Sequence, residues 1–313
     1  MKASKYFKIV VLLLSISLVV VLTSCAQSIP ALKYSSRNST YTYSADVQIN
    51  YEVIGRGRKK IVFVHGFGTS LHTWDDIKEL FPKEEYKLYL IDMKGFGNSS
   101  KPEDDLYTLQ EQAKIVVSFI KHINSGPFYL IGHSYGGGVA LQADIMLSNE
   151  KGKPRIDKLI LIDCLAYLQD VPLFVDFLTI PVVNKIPFLL SDKLKSEYII
   201  DKIFYDKTLI NEKLISRYAS YYYDEGIPYT FITTANQINP EQYEKIIGAY
   251  KSITTKCLII WGGNDSVLLL ENGIKLSKEI PNAQIEIISE CGHSPHEEKP
   301  DVTFSRILRF LKK

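Results

Sequence analysis

Short, almost continuous apolar runs alternate with longer segments of helical periodicity between residues 47 and 166. Such runs are typical of strands buried on both faces of a parallel sheet. Between two of them, Thr108–His122 repeats its apolar residues at helical spacing, and Thr108 with Glu111 forms a capping box that marks a helix start. The alternation of strands and helices predicts an α/β fold. The predicted strands of this part are Lys60–Val64, Lys87–Ile91, Phe128–Ile131 and Lys158–Ile162.

The alternation is interrupted over residues 167–250, where prolines punctuate an apolar stretch and the later, tyrosine-rich segments look helical. It resumes after residue 250 and ends in a helix whose first turn contains Pro300. We therefore predict one core in two halves, 47–166 and 251–313, separated by a helical insertion at 167–250. The predicted elements that open the second half are Lys256–Trp261, Val267–Ile280 and Gln284–Ile288.

The first 24 residues differ from the rest of the chain. Lysines near the start precede the apolar run Ile9–Leu22, which is shorter than the roughly 20 residues of a membrane-spanning helix. This pattern predicts a signal peptide over residues 1–24. It ends in Leu22-Thr23-Ser24-Cys25, which resembles the lipobox of bacterial lipoproteins, so Cys25 is expected to be lipidated and residues 25–46 to form a tether. The alternative is an uncleaved N-terminal anchor with an incidental cysteine.

Composition adds little beyond a globular class. The 313 residues are 46% hydrophobic and 23% charged, enough for a large core. Without the three lysines of the predicted signal peptide, 34 basic residues face 35 acidic ones, and no basic run indicates a nucleic-acid partner. Nothing indicates an oligomeric state. Beyond Cys25 the chain has Cys164, Cys257 and Cys291, which allow at most one disulfide. The apolar runs around Cys164 and Cys257 favour buried thiols.

The clearest chemical motif is Gly132-His133-Ser134-Tyr135-Gly136. It follows the predicted strand Phe128–Ile131 and precedes a predicted helix at Tyr135–Leu147, which is the context that a G-x-S-x-G nucleophile elbow requires. The serine must occupy a tight turn, so the positions two before and two after it must lack side chains. The following helix N-terminus favours negative charge at the hydroxyl. Ser134 is therefore the predicted nucleophile.

A serine hydroxyl needs a base, and the base needs a carboxylate. His293 follows the last predicted strand at a loop tip after a glycine, which makes it the predicted base, with His296 as a structural neighbour. Asp265 ends the segment after Lys256–Trp261 and gives the chain order Ser, Asp, His that is expected for such a triad. Asp163 also follows a strand and remains the competitor for the acid position.

Acyl transfer places negative charge on an oxygen, which preorganised N–H groups must stabilise. The backbone N–H of Tyr135, directly after the nucleophile, is one predicted donor. The turn after Lys60–Val64 supplies the other, and Phe67 N–H is the candidate. His65 in the same turn is expected to brace the loop. No His/Cys cluster has metal-ligand spacing, so neither a metal nor an organic cofactor is predicted.

Together these motifs make the chain resemble the α/β-hydrolase-fold serine hydrolases over residues 47–313. The resemblance implies an eight-stranded, mostly parallel sheet flanked by helices, with residues 167–250 as a helical cap over the site. It is similar in layout to esterases, lipases and carbon–carbon bond hydrolases. Relatives with an aspartate at the elbow are disfavoured by Ser134. The further matching segments are His65-Gly66-Phe67-Gly68, Asp92-Met93-Lys94-Gly95-Phe96-Gly97-Asn98-Ser99, Trp261-Gly262-Gly263-Asn264-Asp265 and Gly292-His293-Ser294-Pro295-His296-Glu297.

The leading functional hypothesis is a carboxylesterase or lipase that works through an acyl-enzyme on a small ester with an apolar acyl group. A carbon–carbon bond hydrolase with the same triad is the first alternative, and it would need a cation for its acidic substrate. The second is a membrane-tethered ligand-binding protein with little turnover. The expected location is the cell membrane or envelope, lipid-anchored and outside the cytoplasm.

Overall fold

The computed structural model describes residues 38–123, 128–148, 155–168, 173–238 and 240–313. The signal peptide predicted for residues 1–24 and the lipidated Cys25 lie outside these residues, so both stay predictions. Among the described residues no helix is both long and apolar enough to cross a bilayer.

An eight-stranded sheet forms the centre of the molecule, in the order β1-β2-β4-β3-β5-β6-β7-β8. The first two strands pair antiparallel to each other, β2 also pairs antiparallel to β4, and every other pairing is parallel. The six strands expected from apolar runs are all present. The strands are β1 Ser39–Thr42, β2 Gln48–Ile54, β3 Lys59–Val64, β4 Tyr86–Ile91, β5 Phe128–His133, β6 Ile156–Ile162, β7 Lys256–Gly262 and β8 Ala283–Ile288.

The tether prediction for residues 25–46 is wrong at Ser39–Thr42, which forms the edge strand β1. The strand is short and mostly exposed, which is typical of a sheet edge. Such a strand carries no continuous apolar run, so the apolar pattern gave no signal for it. The folded core therefore begins earlier than the predicted residue 47.

Helices cover both faces of the sheet. The predicted helix start at Thr108 is confirmed, since its hydroxyl accepts from Glu111 N at 3.1 Å. The reciprocal half of the box is absent, because the Glu111 carboxylate accepts from Lys114 Nζ at 2.5 Å instead. The core helices are α1 Asp75–Lys78, α2 Leu109–His122, α3 Tyr135–Ser148, α9 Leu270–Glu279, α10 Pro295–Glu298 and α11 Pro300–Lys312.

Between β6 and β7 the chain leaves the sheet and forms helices only, within the described part of that stretch. This cap has its own small apolar core around Ile200, Leu214 and Tyr218, apart from the two clusters that flank the sheet. Its α-helices are α4 Leu173–Thr179, α5 Asp192–Ile203, α6 Glu212–Ala219, α7 Ile227–Gln237 and α8 Pro240–Ala249. Short 3-10 segments occur at Val183–Leu189, Lys207–Leu209, Ser220–Tyr222 and Tyr250–Ser252.

The cysteines that follow the tether are free thiols in the buried interior. Cys164, Cys257 and Cys291 are all buried, and none is in a disulfide. Burial raises the pKa of each thiol, because the charged thiolate would lose its solvation. The expected burial of Cys164 and Cys257 is confirmed.

Candidate active site

Ser134 lies at the tight turn between β5 and α3. Its φ is +52°, a left-handed conformation that costs a non-glycine residue about 1–3 kcal/mol. The neighbouring glycines are required by close backbone approach. A Cβ on Gly132 would lie 2.4 Å from Gly136 O, and one on Gly136 would lie 2.1 Å from His65 O. The turn leaves Ser134 half-buried and directed into a cavity.

A chain of hydrogen bonds joins the three residues predicted as a triad. His293 Nε2 lies 2.9 Å from Ser134 Oγ, and His293 Nδ1 lies 2.7 Å from Asp265 Oδ2. The second carboxylate oxygen of Asp265 accepts from Val267 N at 2.7 Å and Leu268 N at 3.0 Å. Donors on both oxygens stabilise an ionised carboxylate, which places the His293 proton on Nδ1 and leaves Nε2 free to accept the serine proton.

The loop that carries His293 is anchored through its backbone. His293 N donates to Ile203 O at 2.6 Å, and His293 O lies 2.8 Å from His133 Nε2. Burial lowers the pKa of His133 well below its usual value, so its ring is neutral and the proton belongs on Nε2, facing the carbonyl. Glu298 accepts from Gly292 N at 3.0 Å and also from two backbone N–H groups of the cap. The base is therefore held from the core and the cap together.

A second buried network beside this loop was missed from sequence. Glu297 accepts from Tyr218 Oη at 2.5 Å and pairs with Arg217 Nη2 at 3.0 Å, while Arg217 Nη1 reaches Asp76 at 2.8 Å. Burial raises the pKa of Glu297 to about 7 although Arg217 opposes the shift. These contacts join residues far apart in the chain, so no local pattern indicates them.

The predicted oxyanion donors lie at the same place. Phe67 and Tyr135 both line the cavity with Ser134 and His293. The ring of Phe67 packs edge-on against that of Tyr135, with the ring centroids 6.5 Å apart. It packs at a tilt against the ring of Phe231 of the cap, with the centroids 5.0 Å apart. The loop that carries Phe67 is braced as expected by His65, whose Nε2 accepts from Met93 N at 3.0 Å.

The cavity above Ser134 has a volume of about 390 Å³ and lies between the core loops and the cap. Its size is within the range of small-molecule sites. The walls are almost entirely apolar, and among the described residues that line the cavity Lys195 is the one lysine or arginine. Lys195 Nζ pairs with Asp192 at 2.7 Å and lies 5.1 Å from the centroid of the Tyr222 ring. The cap residues of the wall include Ile186, Phe188, Leu190, Ile199, Tyr222 and Phe231.

Asp163, the competitor for the acid position, lies beside the triad, but the ring nitrogens of His293 bond to Asp265 and Ser134 instead. The Oδ1 of Asp163 accepts from Gly262 N at 2.9 Å. Two carboxylate oxygens, of Asp163 and Asp265, and a ring nitrogen of His293 lie within 4.8 Å of one another. This is the one such grouping of side chains able to bind a metal in the described ranges. Both ring nitrogens of His293 and both oxygens of Asp265 already have partners within the protein. The grouping therefore fits a hydrogen-bond chain, and we assign it to no metal.

The sequence profile of the alpha/beta hydrolase fold matches residues 59–300. The chain belongs to this family. It is 28% identical over 268 residues to an uncharacterized hydrolase of Bacillus subtilis (strain 168), covering 82% of this chain and 91% of that protein. It is 28% identical over 302 residues to a monoacylglycerol lipase of Mus musculus, covering 87% of this chain and 81% of that protein. The fold and the names of these relatives mark the chain as a hydrolase.

The same fold occurs in solved hydrolase structures. A meta-cleavage product hydrolase from Pseudomonas fluorescens IP01 superposes with a TM-score of 0.70 at 22% identity, covering 85% of this chain and 94% of that one. An identity this low shows the shared fold alone. The fold is thus shared by hydrolases of different reaction types, and the choice between them depends on the site itself.

Proposed function

We propose that this hydrolase cleaves carboxylic esters with an apolar acyl group through an acyl-enzyme on Ser134. The observation that carries the proposal is the hydrogen-bonded chain Ser134–His293–Asp265 opening into an apolar cavity. A serine nucleophile, a base on its hydroxyl and a carboxylate on the base are the parts that acyl transfer requires.

The reaction follows from the positions of the protons. His293 Nε2 takes the proton of Ser134 Oγ as Oγ bonds to the ester carbonyl carbon, and the carbonyl oxygen becomes an oxyanion. Backbone N–H groups of Tyr135 and Phe67 donate to that oxygen. When the intermediate collapses, His293 gives its proton to the departing alcohol oxygen. A water molecule then loses a proton to His293, attacks the acyl carbon and releases the acid with Ser134 restored.

The lining of the cavity favours an ester with an apolar acyl chain. Apolar walls stabilise a hydrocarbon chain by about 25 cal/mol per Å² removed from water. A carbon–carbon bond hydrolase of diketone acids needs a free cation for the substrate carboxylate. In the part of the lining that the structure describes, Lys195 is the one lysine or arginine, and it is already paired with Asp192 at 2.7 Å. This pairing argues for the ester over the carbon–carbon alternative.

A fluorophosphonate probe combined with a series of p-nitrophenyl esters from acetate to palmitate tests the proposal. We expect labelling at Ser134, loss of labelling in Ser134→Ala, and highest kcat/KM on the longer acyl chains. Ser294→Ala is the matched control, because Ser294 also lines the cavity but has no part in the triad. Labelling without turnover of any ester would move the function to carbon–carbon bond cleavage. A wild type that is not labelled would favour the tethered ligand-binding protein.

We further propose that Cys25 carries the lipid that anchors the enzyme in the cell envelope, outside the cytoplasm. The motif Leu22-Thr23-Ser24-Cys25 after an apolar run supports it. Several acyl chains give stable anchoring where a single chain gives only marginal binding. We expect the wild type to partition into the detergent phase and Cys25→Ser to leave it, whereas Cys164→Ser should behave as the wild type. Detergent partitioning that persists in Cys25→Ser would contradict this anchor.

A further inference from the structure

Asp163 is a buried carboxyl group beside the triad that the proposed reaction does not use. It follows β6 with no exposed surface and a φ of +40°, a conformation that few non-glycine residues adopt. Its Oδ1 accepts from Gly262 N, at the start of the turn that leads to Asp265. Its Oδ2 is buried and has no hydrogen-bond donor among the described residues. A polar side chain is thus kept in a strained, dry position next to the acid of the triad.

Two carboxyl groups lie too close here to ionise together. A carboxylate oxygen of Asp163 lies within 4.8 Å of one of Asp265, and both groups are buried. In such a pair one group keeps its proton, because like charges in a dry site repel strongly. Asp265 accepts from two backbone N–H groups and from His293, while Asp163 accepts from Gly262 alone. Three donors stabilise the anion better than one, so the charge belongs on Asp265 and the proton on Asp163.

We propose that Asp163 is a positioning residue, a neutral carboxylic acid whose Oδ2–H is directed at the Asp265 carboxylate and steadies it against His293 Nδ1. The inference rests on the proposed catalytic role of the triad. It explains why Oδ2 has no donor, since a protonated oxygen needs an acceptor instead. Burial, reinforced by the neighbouring Asp265 charge, raises the pKa of Asp163 well above its usual value, in agreement with this geometry.

The other titratable groups that face Asp163 leave this assignment unchanged. Cys164 and Cys291 are buried thiols whose pKa values are raised by burial, so they stay neutral. The Glu298 carboxylate adds negative charge that further disfavours ionisation of Asp163. The last group is His293, which the triad carboxylate already engages.

The inference is tested by the titration of the His293 ring, followed by proton–nitrogen NMR in the full chain. This readout needs no substrate. Asp163→Asn keeps an acceptor for Gly262 N–H and replaces the O–H donor by an amide N–H. If Asp163 is neutral, the substitution changes no charge, and the His293 midpoint should move by less than about 0.3 pH units. If Asp163 is ionised in the wild type, the loss of its charge should lower the midpoint by about one unit or more, which overturns the proposal.

Rates of fluorophosphonate labelling at Ser134 supply the second measurement. Asp163→Val keeps the shape but removes both hydrogen bonds, so we expect labelling to slow by about tenfold, and Asp163→Asn to label within about threefold of the wild type. Equal slowing in both variants would indicate a structural role only and overturn the proposal. If circular dichroism shows that Asp163→Val does not fold, the titration of His293 in Asp163→Asn alone tests the proposal. Failure of the wild type to label would overturn the proposed function, whereas the titration tests Asp163 independently.

Discussion

The loops that hold the triad and the cap segment that covers them are built in opposite ways. At the elbow, backbone atoms approach so closely that Gly132 and Gly136 have no room for a side chain. The 3-10 segment Val183–Leu189 of the cap contains no buried residue, and next to it Val182 is 86% exposed. Rigid contacts therefore fix the reacting atoms, while the less buried side chains of this segment form part of the wall for the acyl chain. Changes in the core, and in cap residues that contact its loops, should alter kcat. Changes in cap residues that only line the cavity should alter KM.

The largest effect is expected for the acid of the triad. Asp265→Asn keeps the shape but removes the charge that holds the His293 proton on Nδ1, so kcat on p-nitrophenyl esters should fall by about 10⁴-fold with KM little changed. Steady-state kinetics with the fold monitored by circular dichroism measure this. Asp163→Asn is the control and should retain turnover within about threefold. If Asp163→Asn were the inactive variant, the acid would be Asp163 and the assignment of Asp265 wrong.

The Arg217–Glu297 contact between cap and core should matter for stability rather than chemistry. Arg217→Met leaves the buried Glu297 without its cation, which should lower the free energy of unfolding by about 3–5 kcal/mol. Denaturant midpoints at neutral pH measure the change. Lys193→Met breaks an exposed pair with Glu197 and should cost about 1 kcal/mol or less. Similar losses in both variants would mean that the buried pair does not join the two regions.

The elbow and the central strands could be predicted from the sequence because they depend on local sterics. The strand–Gly–x–Ser–x–Gly–helix order and the Thr108 cap each depend on residues that are close in the chain, so the sequence pattern predicts them directly. The antiparallel strands β1 and β2 were not predicted from the apolar pattern, because a partly exposed antiparallel strand needs no continuous apolar run. The contacts of Glu298 and Arg217 were not predicted for a different reason. Their partners lie far along the chain, and only the folded cap brings them to the His293 loop.

The core also contains a carboxyl group whose effect should be on stability alone. Burial raises the pKa of Asp144 in α3 to about 6, and Thr255 Oγ1 donates to it at 2.7 Å. In the unfolded chain this carboxyl group should lose its proton at about pH 4. Folding therefore takes up a proton between about pH 4 and the folded-state pKa of about 6. Stability from this group is therefore complete below about pH 4 and falls by up to about 3 kcal/mol as pH rises to about 6.

Asp144→Asn should remove this pH dependence while leaving kcat within about twofold of the wild type. Denaturant unfolding across that pH range measures the difference, with the exposed Asp301→Asn as a control that keeps the wild-type slope. An unchanged slope in Asp144→Asn would show that the buried carboxyl group does not titrate in this window.

The smallest expected effect comes from a comparison of two phenylalanines that line the same cavity. Phe188 belongs to the cap wall, whereas Phe231 also packs against Phe67 of the oxyanion loop, at 5.0 Å between ring centroids. Phe188→Ala should raise KM for long-chain esters by about tenfold at nearly unchanged kcat. It removes apolar binding surface and an edge contact with Phe231 at 6.2 Å, but the Phe231 ring that packs on Phe67 stays in place. Phe231→Ala should raise KM and also lower kcat, because Phe67 loses the ring that holds its backbone N–H in place. Kinetics on short and long esters distinguish the two variants. A loss of kcat in Phe188→Ala as large as that in Phe231→Ala would mean that the cap wall around Phe188 also positions the reacting atoms, and the division between rigid contacts and an adaptable wall would not hold.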